Sequence, residues 1–120
     1  MNKHTFKVLV FDRDSDVLIA LEHALENAGL DTTITWDEAD IHNLIVDAAF
    51  DVVLVGDYPP GFTVQTIQDD LESRSESCPC LVLAASDLEA EQFIHLGITG
   101  VVSKRKPSEV VEQVCALAYS

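Results

Sequence analysis

Four aliphatic residues in a row, Val52-Val53-Leu54-Val55, stand between Asp51 and Gly56. A strand with one wet face alternates apolar and polar residues, so a short unbroken run suits a strand covered on both sides. Phe6-Lys7-Val8-Leu9-Val10-Phe11 and Cys80-Leu81-Val82-Leu83-Ala84-Ala85 have the same character. Between such runs the apolar spacing turns helical. Leu18, Leu21, Leu25 and Ala28 share one face of a helix predicted over 15–28, with Ser15 as its N-cap and Gly29 as its left-handed stop. Thr32 to Trp36 has strand chemistry, and Ile41, Leu44, Ile45 and Ala48 return to helical spacing. Val64, Ile67 and Leu71 predict a third helix, and Ser86 caps a fourth that carries Leu88, Phe93, Ile94 and Leu96. Gly100 to Ser103 is a short fifth strand, and Pro107 opens a last helix with Val110, Val111, Val114, Cys115 and Leu117 inward. Strict alternation with short connections implies a doubly wound (βα)5 fold, a parallel sheet with helices on both faces.

With 120 residues, 48% of them hydrophobic, the chain reads as one domain over 1–120 that can bury a real core. The charge balance is 21 acidic against 7 basic residues, net −14, which opposes phosphate backbones and anionic lipid. Direct nucleic-acid and membrane binding are therefore not expected. Three cysteines make no disulfide framework, and no stretch approaches the roughly 20 apolar residues of a membrane span, so a cytoplasmic protein is expected. Cys78-Pro79-Cys80 lacks the further ligands of a structural zinc site, so Cys80 and Cys115 read as small buried hydrophobes. Trp36 reads as packing at a strand end, and His95 as a favourable charge near a helix C-terminus.

Functional groups of open parallel sheets collect outside the carboxyl ends of the strands. Asp12, Arg13 and Asp14 stand after the first strand, Gly56, Asp57, Tyr58, Pro59 and Pro60 after the third, Ala84, Ala85 and Ser86 after the fourth, and Ser103, Lys104 and Arg105 after the fifth. Three stretches carry a resemblance over nearly the whole chain: Val10-Phe11-Asp12-Arg13, Asp51 to Val55 leading to Pro60-Gly61, and Gly97 to Lys104. Together they resemble the receiver domain of bacterial two-component response regulators. The resemblance implies a flavodoxin-like (CheY-like) three-layer sandwich with strand order 2-1-3-4-5.

It also exposes departures from the family's phosphorylation site. The second of two acidic residues that help hold Mg2+ falls on Arg13, beside Asp12. The phosphoacceptor aspartate, four residues before a proline, falls on Gly56, and Asp57 misses by one position. The switch hydroxyl falls on Ala84 and the aromatic switch residue on Val101. Lys104 matches the family's lysine, although Arg105 replaces the proline that usually follows. Phosphoryl transfer to a carboxylate depends on positioning and on neutralisation by Mg2+ and a lysine, and a hard cation needs oxygen ligands. The expectation is a degenerate receiver that works as a phosphorylation-independent protein-interaction module, without a metal and without enzymatic activity. The alternative is a working phosphoacceptor in which a one-residue shift brings Asp57 into the pocket with Mg2+, with Ser86 as substitute hydroxyl. A flavodoxin-type carrier is disfavoured by the acidic loop Asp12 to Asp16.

Arg13 either pairs with Asp12 or Asp57 as a fixed internal cation or points away from the pocket. Lys104, Arg105 and Lys106, three of the seven basic residues, either form a solvated turn or an interaction surface. The resemblance places them on the face of the fourth helix, fifth strand and fifth helix, where receivers commonly dimerise or dock. A protein partner, an output domain or a second copy is the expected occupant.

Overall fold

The aliphatic runs become the middle of one parallel sheet. The computed structural model describes residues 6–47, 50–56, 69, 78–86, 91 and 100–118. Its elements are β1 (Lys7–Phe11), α1 (Ser15–Asn27), β2 (Asp31–Thr35), α2 (Glu38–Asp47), β3 (Val52–Gly56), β4 (Cys80–Ala84), β5 (Gly100–Ser103) and α3 (Pro107–Ala118). The strands run in the order β2-β1-β3-β4-β5, all parallel, as the resemblance implied. Of the third and fourth helices expected from the sequence only Asp69 and Glu91 are described, both helical; the rest, with His95, lies outside the described residues.

Alternation along β1 and β3 divides the core between two layers. Val8, Val10, Val52 and Leu54 face Leu18, Leu21 and Leu25 of α1 together with Val110 and Val114 of α3. Leu9, Phe11, Val53 and Val55 face Ile41 and Ile45 of α2. Each large side chain so buried contributes about 1.5–3 kcal/mol, which explains why both faces of the central strands are aliphatic. Of the other residues expected inward, Val111, Cys115, Leu117 and Ala28 are half-buried and pack at the margin of the first layer.

Two local expectations change. Asp14, not Ser15, caps α1: its Oδ1 accepts the Asp16 N–H at 3.0 Å, while Ser15 is already the first helical residue. Trp36 lies one residue past the end of β2 and is 66% exposed, because β2 stops at Thr35 and Asp37 takes over as the cap of the next helix, its Oδ1 accepting the Ala39 N–H at 2.8 Å. Gly29 does end the first helical segment as expected, with φ +86°. Its N–H donates to the Glu26 carbonyl at 3.0 Å.

Cys80 opens β4 and is buried, whereas Cys115 is only half-buried. Burial pushes the Cys80 thiol from its ordinary value near 9 up to about 12, with Cys78 adding to the rise. Because the folded state holds the proton more tightly, this group's contribution to stability is complete below pH 9 and declines as pH rises towards 12. At pH 8 a thiol-specific reagent should modify Cys115 ahead of Cys80 and reach Cys80 only through unfolding. Equal rates for Cys80 and Cys115 under native conditions would refute this burial.

Candidate functional site at the carboxyl end of the sheet

Strand register brings the expected residues to one end. Phe11 pairs with Val55, so Asp12, the next residue, stands level with Gly56, the last residue of β3. The Asp12 side chain is only 4% exposed. Its Oδ1 accepts the Asp14 N–H at 2.8 Å, and its backbone N–H donates to the Thr35 carbonyl at 3.3 Å. Two neighbours thus fix both the backbone and the carboxylate plane. The adjoining Arg13 side chain is exposed.

The other oxygen, Oδ2, accepts from Lys104 Nζ at 3.0 Å. Lys104 follows β5, and its backbone N–H donates to the Ala84 carbonyl at 3.0 Å, so it is anchored to the sheet as well as to the carboxylate. From β5 to β1 is three strand spacings, about 14 Å in an ideal sheet, a gap that needs the long four-carbon stem of lysine. Lys104 is 16% exposed, so it belongs to this pair more than to an open surface.

Beneath the pair lies Gly56, which is buried. A Cβ placed on Gly56 would overlap Asp12 Oδ2 and come within 2.7 Å of Asp12 Cγ. The carboxylate of β1 therefore fills the space that any side chain on the last residue of β3 would enter.

No protein-family model and no curated protein matches this sequence. Solved structures do match in shape. A response regulator from Thermotoga maritima superposes with a TM-score of 0.79 at 18% identity, over 98% of this chain and 100% of that one. The chain has the receiver fold. HP1043, an orphan response regulator of H. pylori, gives 0.78 at 18% identity over 97% and 98% of the two chains. An atypical orphan response regulator, described as revealing a phosphorylation-independent regulatory mechanism, gives 0.77 at 19% identity over 96% and 98%. At these identities the likeness is one of fold.

In this receiver fold Gly56 stands at the strand end that the sequence resemblance assigns to the acceptor, with Asp12 and Lys104 gathered over it. Asp57 lies outside the described residues. Ala84 is buried and Val101 half-buried, so the two expected switch positions present no hydroxyl and no aromatic ring. Both border a groove of about 550 Å³, with Ser86, Arg105, Lys106 and Glu109 around it. Arg105 and Lys106 are exposed, unlike Lys104. Sequence reasoning missed the direction of the Asp12 side chain and the parts played by Asp14 and Thr35. The signal available for the first was the equal level of Asp12 and Gly56 once β1 and β3 are paired.

Proposed function

We propose that this receiver fold is a phosphorylation-independent signalling module that works through protein contacts, not as an enzyme. One observation carries the reading: the Asp12 carboxylate occupies the space above Gly56 and is neutralised there by Lys104. A glycine offers no nucleophile, and the lysine that would balance a phosphoryl group already balances a carboxylate. The same arrangement suits Mg2+ poorly. Asp12 Oδ2 is engaged by an ammonium group, Gly56 brings no side-chain oxygen, and Arg13 brings a guanidinium where a hard cation needs an oxygen donor. Among the described residues no group of three or more His, Cys, Asp or Glu side chains is placed to hold a metal. The atypical orphan regulator of similar shape gives the reading a precedent within the fold.

No helix among the described residues is long and apolar enough to cross a membrane. With Cys78, Cys80 and Cys115 in no disulfide, a reducing cytoplasmic setting is the natural one. Contacts with a partner, an output domain or a second copy then use surface residues such as Arg105 and Lys106.

Incubation with acetyl phosphate and Mg2+, and separately with beryllofluoride, tests the proposal. Intact mass should show no phosphoryl increment, and amide NMR spectra should remain unchanged. A stoichiometric adduct mapped to Asp57 would overturn the reading in favour of a working phosphoacceptor.

A further inference from the structure

The chain has a single tryptophan, and Trp36 stands in the open just past β2. An aromatic ring offers a large apolar area at small conformational cost, which is why exposed tryptophans so often anchor contacts between proteins. Thr35, the chain neighbour of Trp36, helps to line a groove of about 290 Å³ between the end of β2 and α2, together with Ile34, Asp40, Asn43 and Leu44. Ile34 and Leu44 are half-buried beside the buried Thr35, while Asp40 and Asn43 are exposed, giving a mostly apolar floor and a polar rim. Asp37, beside Trp36 in the chain, is exposed as well.

Charge selects the occupant. Residues 14–47 contain nine Asp and Glu and no Lys or Arg. The sheet order puts β2, in the middle of that segment, at one edge and Arg105 and Lys106, which follow β5, at the other. Phosphate backbones and anionic lipid are repelled from the acidic side. A second copy brings a further net charge of −14, and Glu109 and Glu112 border the groove shared by Arg105 and Lys106, two of the exposed cations among the described residues.

We propose that the Trp36 rim is a docking site for a basic, arginine-containing segment of a partner protein. The guanidinium stacks on the indole, an adjoining apolar side chain enters the groove, and Asp37 and Asp40 meet flanking cations. Arginine is preferred to lysine because its planar, weakly hydrated head both stacks on an aromatic face and forks onto a carboxylate. The proposal rests on the interaction role above and adds to it a second surface, separate from that at Arg105 and Lys106, with a stated partner class; it uses neither Asp12 nor Lys104.

Because Trp36 is the only tryptophan, its emission reports directly on the site. The probe is a short fluorescent peptide alternating Arg and Leu, compared with its Lys and Glu counterparts at about 0.15 M salt. The Arg peptide should shift Trp36 emission saturably and bind about fivefold more tightly than the Lys peptide. Trp36→Ala and Asp40→Asn, each checked for folding by circular dichroism, should weaken anisotropy-measured binding by about tenfold. Arg105→Glu with Lys106→Glu should not weaken it. Equal binding of Arg and Lys peptides, undiminished in Trp36→Ala, would reduce the effect to general attraction by an acidic protein and overturn the proposal. So would self-association in the ultracentrifuge that Trp36→Ala abolishes, since the occupant would then be a second copy. Loss of peptide binding without phosphoryl uptake sinks this docking site alone. Phosphoryl uptake sinks the phosphorylation-independent reading and leaves the peptide result to stand or fall separately.

Discussion

Replacing Lys104 by Met should lower the free energy of unfolding by about 3 kcal/mol. Methionine keeps an unbranched stem of similar length but removes the cation, leaving Asp12 Oδ2 without its partner in a nearly buried place. Removing one member of a fully buried ion pair costs about 3–5 kcal/mol, and the partial exposure of Lys104 sets the expectation at the lower end. Lys104→Arg should cost less, because the charge is kept while the geometry changes. Asp12→Asn combined with Lys104→Met should recover much of the loss, since the buried charge disappears together with its partner. Urea denaturation at pH 7 measures all three variants. A loss below about 1 kcal/mol in Lys104→Met would put the pair in the class of screened surface bridges.

Gly56→Asp, which writes an acceptor back into the end of β3, should destabilise the domain by about 3 kcal/mol or more. The new Cβ would lie within 2.7 Å of Asp12 Cγ, so one side chain has to leave the space. Overpacking alone costs about 1–3 kcal/mol, and two carboxylates facing one lysine add repulsion. Exchanging the residues, Asp12→Gly with Gly56→Asp, removes both penalties and returns one carboxylate to Lys104. The double variant should therefore be more stable than Gly56→Asp alone. If the single substitution folds with unchanged stability, Asp12 swings into water easily and does not fill the pocket.

The sheet was legible in the sequence because burial on both faces permits little except aliphatic residues. Val52 to Val55 advertise a central strand as few other patterns can, and β5 at Gly100 to Ser103 matches the expected boundaries. Chain ends of elements were less legible where neighbours had similar chemistry. Asp14 and Ser15 are both good caps, and only the direction of the Asp14 carboxylate towards the Asp16 N–H separates them. Trp36 has strand propensity, but propensity does not register that Asp37 begins the capping of α2. At the site, spacing placed Asp12, Gly56 and Lys104 at one end of the sheet. That Asp12 leans over Gly56 depends on side-chain direction and on a lysine reaching from three strands away, neither of which leaves a local pattern.

The pair that closes this pocket joins residues 92 positions apart in the chain. Its two halves directly follow the first and the last strands of the described sheet. The strands β2, β1 and β3 and both helices between them are complete by residue 56, whereas Lys104 arrives with β5. A folding intermediate built from that N-terminal part has Asp12 without its cation, and burying such a carboxylate is costly. In such an intermediate the Asp12 carboxylate would keep its hydration until β5 brings Lys104. On that order of assembly the end of the sheet that carries the site would be the last to close.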